Sequence, residues 1–125
     1  MNLESNKKQQ FKIEFKKRCF YFSLKVLKLC DKLRTKSLNW SLVDQLIRSG
    51  TSIGANVVEG GNSSSRKEFI NFFQISLKSA SETLYWLELL KEINNNSSAE
   101  IDSLIKECTE IKKIISTIIL NTKNS

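Results

Sequence analysis

The chain has 125 residues, 40% hydrophobic and 26% charged, a size that suits one soluble domain with a single core. It contains no proline and four glycines, which argues against a strand-rich fold with many tight turns, and no histidine, which excludes a His-based triad and two-His metal motifs. Its net charge of +7 is uneven: residues 1–40 hold eleven Lys/Arg against Glu4, Glu14 and Asp31, a balance of +8, while the remaining 85 residues sum to −1.

The opening MNLESNKKQQ is polar, with no apolar run behind it of the kind a secretory signal needs. No segment approaches the ~20 apolar residues of a membrane span. A cytoplasmic chain with no membrane partner is therefore expected. Cys19, Cys30 and Cys108 fit a reducing compartment. Cys19 and Cys30 would lie roughly 16 Å apart along one helix, too far for a disulfide. With no CxxC motif and no histidine, neither a metal site nor a cofactor is expected.

In chain order, Phe11, Phe15, Cys19, Phe22, Val26, Leu29 and Leu33 recur at spacings of three and four, which predicts a first helix over about 10–35. Ser41 with Asp44 suits an N-terminal cap, and Val43, Ile47, Gly50, Gly54 and Val57 continue at helical spacing, predicting a second helix over about 42–59. A helical glycine costs ~1 kcal/mol relative to alanine. Gly50 and Gly54, on one face, therefore make sense where a neighbouring helix comes close; a hinge is the alternative.

The stretch GANVVEGGNSSSRKEF, Gly54 to Phe69, invites comparison with a phosphate-binding loop. A Walker loop needs a strand, then GxxxxGK[ST], then a helix, and here no glycine precedes Lys67 and the preceding segment is helical. The Rossmann fingerprint fails for the same reason. Gly60-Gly61 instead suits a helix end closed by a residue of positive φ, and Ser63 to Ser65 supply the next cap. Ser65, Arg66, Lys67, Glu68 is a Ser-x-x-Glu capping box. Glu59, near a C-terminus whose dipole disfavours a carboxylate, should bridge the corner to Arg66, Lys67, Arg48 or free N–H groups, with Asn56 bonding a neighbouring backbone. As a general base Glu59 would lack a nucleophile, a metal and a second acid, so no catalytic residue is assigned.

A third helix is predicted over about 66–93 from Phe69, Phe72, Phe73, Ser76, Ala80, Leu84, Leu87 and Leu90. After the polar connection Asn94 to Ser98, Ser97 with Glu100 caps a fourth helix over about 98–120, carrying Ile101, Leu104, Ile105, Cys108, Ile111, Ile115 and Ile118. The whole chain thus reads as one all-α domain, an antiparallel up-down four-helix bundle with short flexible ends.

The first helix carries more than a core stripe. Ile13, Phe20, Leu24 and Leu27 gather roughly opposite it, where a bundle helix is normally polar, which predicts a homo-oligomer interface; scattered surface hydrophobes are the plainer alternative. Between the two runs a row of Lys17, Tyr21, Lys25, Lys28 and Lys32, about one turn apart. Such ammonium groups can track a phosphate backbone, and a tyrosine among them can stack on an unpaired base, so the row is the candidate RNA- or DNA-binding surface. A solvated lysine face that aids solubility is the alternative.

Arg48 to Leu90 resembles a bacterial four-helix-bundle family named for proteins encoded in 23S rRNA intervening sequences. The resemblance rests on Ser52-Ile53, Ala55-Asn56-Val57, Glu59-Gly60, Lys67-Glu68-Phe69, and Ser81-Glu82 followed by Tyr85-Trp86-Leu87. Gly54, where many relatives carry proline, and Gly61-Asn62 depart from the usual pattern. The resemblance implies a homopentameric barrel of bundles that is not an enzyme. It also points to a related branch, the accessory variability determinant of diversity-generating retroelements, whose basic pentamers associate with a reverse transcriptase and with nucleic acid. The leading expectation is a non-catalytic oligomer that associates with nucleic acid, RNA first; the alternative is a protein-interaction scaffold such as a reverse-transcriptase accessory.

Overall fold

The structure is a computed structural model and describes residues 2–125. Among these the chain forms α1 (Leu3–Leu33), α2 (Trp40–Gly61), α3 (Arg66–Ile93) and α4 (Ser98–Lys123), with 3-10 turns at Ser37–Asn39 and Asn95–Ser97 and no strand. Contacts across neighbouring helices run in opposite residue order, so the four form an antiparallel bundle. On α1 and α2, Cys19 faces Gly54 whereas Val26 faces Gly50. On α1 and α4, Arg18 pairs with Glu107 and Glu110 whereas Lys32 pairs with Glu100.

The α1 helix begins well before its apolar period does. Asn2 caps it, accepting a hydrogen bond from the Ser5 N–H at 2.8 Å, and Glu4 sits in the first turn where the helix dipole favours a carboxylate. Residues 3–14 are all exposed, so this stretch is held by the helix preference of its Lys, Gln and Glu residues rather than by burial. Apolar spacing marks only the buried part of a helix, which is why the expected flexible N-terminal end is helical from Leu3. Phe11, assigned by spacing to the core stripe, is 49% exposed and stacks on Phe15 at 6.1 Å, beyond the sealed part of the core.

Two caps differ from expectation. The cap position of α2 belongs to Asn39, not Ser41, and Ser97 occupies the α4 cap position without a side-chain capping bond. Asn39 is used otherwise. Its Nδ2 donates to the Leu33 carbonyl at 2.8 Å and to Asn94 Oδ1 at 2.9 Å, while Asn94 Nδ2 donates to Asn39 Oδ1 at 3.0 Å and to the Leu90 carbonyl at 2.8 Å. This buried reciprocal amide pair ties the α1–α2 connection to the α3–α4 connection and satisfies a carbonyl at the end of α1 and another at the end of α3.

Small residues bring α2 and α3 together. The hydroxyls of Ser49 and Thr83 meet at 2.9 Å, those of Ser52 and Ser79 at 3.0 Å, and Ser76 Oγ donates to the Ile53 carbonyl at 2.8 Å. Gly60 completes this seam. A Cβ added there would lie 2.7 Å from Phe73 Cε1, so the glycine is required by close approach. The expectation of a positive-φ closure at Gly60-Gly61 is therefore corrected: no glycine among the described residues has positive φ, and both lie within α2. The helix ends one residue later, where the Asn62 N–H reaches the Val58 and Glu59 carbonyls and Ser63 Oγ donates to the Gly60 carbonyl at 2.6 Å.

Candidate nucleic-acid interface

The face of α1 that the bundle leaves open divides as its sequence divides. The apolar row is in water in the single chain: Ile13, Phe20 and Leu27 are 39%, 64% and 42% exposed, and Leu24 is half-buried. Beside it, on the α4 side, lie Lys17, Tyr21, Lys25, Lys28 and Lys32, all exposed. They are not equivalent. Lys32 Nζ is 3.0 Å from Glu100 of α4, so part of its charge is already answered. Among the described residues Lys17, Lys25 and Lys28 make no ion pair.

Arg18, next to Lys17 in sequence, turns toward α4. Its Nε and Nη2 donate to the two oxygens of Glu107 at 2.7 Å each, and Nη2 also reaches Glu110. The hydrogen bonds to Glu107 hold the guanidinium still further in its charged form than usual. Two carboxylates therefore neutralise this cation, and the pair fastens α1 to α4. Next to it a groove of about 450 Å³ opens between the two helices, lined by Phe11, Glu14, Lys17, Arg18, Tyr21 and Ile114. Tyr21 rests edge-on against Phe20, with ring centroids 5.5 Å apart.

The corner between α2 and α3 is built differently from the expected fastening. Asn56 does bond backbone, but of its own helix: its Nδ2 donates to the Ser52 carbonyl at 2.8 Å and to Ser52 Oγ at 2.9 Å, so it does not fasten the corner. Glu59 does not bridge to Arg66, Lys67 or Arg48: it is exposed and, among the described residues, has no ion pair or side-chain hydrogen bond. The reason is angular. Gly60 faces α3, and the residue before it on a helix points about 100° away, toward solvent. Ser65 does cap α3, accepting from the Glu68 N–H at 3.1 Å, but Glu68 reaches the Ser64 hydroxyl at 3.4 Å rather than closing the capping box. Arg66 is exposed and, among the described residues, makes no ion pair.

A second apolar surface was missed in the sequence. Ile75, Leu89 and Ile93 of α3 are exposed and Trp86 is half-buried, its Nε1 donating to Glu82 at 3.3 Å. The spacing from 75 to 82, 86, 89 and 93 is helical, so the signal was present, but the stronger core pattern of the same helix masks it.

The three cysteines are buried and free. Burial raises the thiol pKa to about 12 at Cys19 and Cys108 and to about 11 at Cys30. They are packing groups at neutral pH. Among the described residues no group of three or more His, Cys, Asp and Glu could hold a metal ion, and no helix is long and apolar enough to cross a membrane.

Fold and surface together define an all-helical four-helix bundle whose charge is concentrated on the outer face of its first helix. The chain belongs to the family of 23S rRNA-intervening sequence proteins, whose model matches residues 12–117. It is similar to a crystal structure described as a protein of unknown function from the S23 ribosomal protein family of Bacteroides thetaiotaomicron. The two share 37% identity and a TM-score of 0.79, over 84% of this chain and 97% of that one. No functionally curated protein matches.

Proposed function

We propose that the chain is the protomer of a homo-oligomer that binds nucleic acid, RNA first, through the exposed row of α1. The observation that supports this is that Lys17, Lys25 and Lys28 lie on one helix face with no ion-pair partner among the described residues, while Arg18, Lys32 and Arg34 are each paired. Unpaired like charges on one face repel, and a phosphate backbone relieves that repulsion with release of counterions. Lys17 and Lys28 lie roughly 16 Å apart along the axis, a reach of several phosphates.

Assembly multiplies the effect. A closed ring joins two different surfaces of the protomer, and the apolar rows of α1 and α3 offer two. The family resemblance implies five copies, and at +7 each these carry +35.

The test is fluorescence anisotropy with a short labelled RNA across a salt series. Affinity should fall steeply with salt, and changing Lys17, Lys25 and Lys28 to glutamine should flatten the log–log slope by about 2. An absence of binding at low salt, or an unchanged slope in the variant, refutes nucleic-acid binding through this row. A light-scattering mass of one 14.4 kDa chain at micromolar concentration refutes the oligomer. The second reading is a protein-interaction scaffold, such as a reverse-transcriptase accessory, in which the same lysines meet an acidic partner; the exposed apolar row of α3 is the observation in its favour.

A further inference from the structure

The row on α1 and the groove beside it are one surface. Lys17 and Tyr21 belong to both, and Phe11 extends the groove toward the start of the helix. Phe11 and Tyr21 are large rings left in water, at 49% and 57% exposure, each steadied by another ring: Phe15 under Phe11 and Phe20 against Tyr21. Neither ring is needed to seal the core. They lie ten residues apart, roughly 15 Å along α1, with Lys17 between them.

The charges around the groove discriminate between parts of a nucleotide. Glu14, hydrogen-bonded to Gln10 at 2.7 Å, lines the groove, and Arg18 is neutralised by Glu107 and Glu110. Lys17 and Glu14, both in the lining, offset each other, so a phosphate drawn inside would meet a carboxylate and find no net positive charge. A base has no net charge, presents an apolar face to the rings, and can donate an N–H to Glu14. Along the row Lys17, which the groove shares, and Lys25 and Lys28 beyond it suit the adjoining phosphates. A groove of about 450 Å³ is in the range of small-ligand sites and has room for a splayed base.

We infer that the α1–α4 groove receives unpaired bases, with Tyr21 and Phe11 as stacking platforms, so that the protein prefers single-stranded nucleic acid to duplex. This rests on the reading that the basic row binds nucleic acid and adds a selectivity that charge alone does not provide. In a duplex the bases face inward and only phosphates reach the row.

The experiment compares the full chain and its variants on labelled single-stranded RNA, single-stranded DNA of the same sequence, and an RNA duplex, at one low salt concentration. The wild-type protein should bind the single strands more tightly than the duplex. Tyr21→Ser and Phe11→Ser should each weaken single-strand binding about tenfold and leave duplex binding and the salt slope unchanged, while Tyr21→Phe retains the wild-type affinity. Both positions lie outside the sealed core, so each variant should stay helical and folded at the assay temperature, and circular dichroism at that temperature separates a loss of binding from a loss of fold. The ratio of RNA to DNA affinity identifies which single strand is the better source of bases.

If duplex and single strands bind alike and the serine variants weaken neither or both, stacking is refuted while the basic row stands. If no form binds at low salt, both readings fall together.

Discussion

Gly60 and Gly61 sit side by side in the last turn of α2, yet the structure assigns opposite signs to the same substitution at each. Alanine in place of a helical glycine gains up to ~1 kcal/mol from backbone propensity, and less in a terminal turn. At Gly61 nothing opposes that gain: the nearest atom to an added Cβ is Lys16 Cε at 3.4 Å, the flexible end of an exposed side chain. At Gly60 the added Cβ would lie 2.7 and 2.8 Å from two Phe73 ring atoms and 3.2 Å from Phe72 Cβ. Ordinary carbon contacts are ~3.5–4.0 Å, so the overlap is about 1 Å. Phe73 is buried and stacked on Phe69 at 4.3 Å, and its ring has no space to swing into. Overpacking of this kind costs about 1–3 kcal/mol. Gly60→Ala should therefore lose about 1–2 kcal/mol net and Gly61→Ala gain up to ~1 kcal/mol. For a chain of this size each kcal/mol shifts the melting temperature by roughly 4 °C. Thermal melts followed by circular dichroism, at one fixed protein concentration to hold any assembly equilibrium constant, should place the two variants on opposite sides of wild type. If Gly60→Ala melts as high as Gly61→Ala, the close approach of α3 to this turn is refuted.

The Asn39–Asn94 pair predicts a coupling. Asn39→Ala strands a buried amide of Asn94 and the Leu33 carbonyl, for a cost of about 2–3 kcal/mol. Because Asn94→Ala breaks the same two Asn39–Asn94 bonds, the double variant in a urea-denaturation cycle should be less destabilised than the sum by about 1 kcal/mol; strict additivity counts against the pair. The thiols predict an alkaline limit. Their folded pKa values, about 11 and 12, lie above the ordinary 9.0, so the stability of keeping them neutral is fully present below pH 9 and is lost as pH rises toward 11–12. A thiol-specific reagent at mildly alkaline pH should react with Cys19, Cys30 and Cys108 only after denaturant is added; rapid labelling of the native protein would contradict their burial.

Much of this architecture is written in local pattern. Runs such as Ile101, Leu104, Cys108, Ile111 and Ile115 carry the helical period because one face must be buried, and each of the five is buried in α4. The excess of lysine on α1 is likewise plain from composition. Where burial is missing the pattern is silent, as at Leu3 to Gln9, which is helical and exposed throughout. It also reaches only so far as one helix. Phe11 continues the spacing of Phe15 and Cys19 but projects past the sealed core, because spacing does not say where a neighbouring helix stops covering it.

By itself the sequence determined that the chain is four helices, that the glycine-serine stretch is a corner rather than a phosphate loop, and that the positive charge belongs to α1. Tertiary structure alone decided which charges are available and which small residues are indispensable. Lys32 is partly answered because α4 brings Glu100 to it, and Lys17 is unpaired because α4 gives its carboxylates at that level to Arg18. Glu59 faces water, while Gly60, one residue on, must be glycine because the Phe73 ring occupies the space of its side chain. The physical reason is range. Helical period and composition arise from interactions within a few residues, whereas ion pairing and close approach depend on what a different helix presents across the gap.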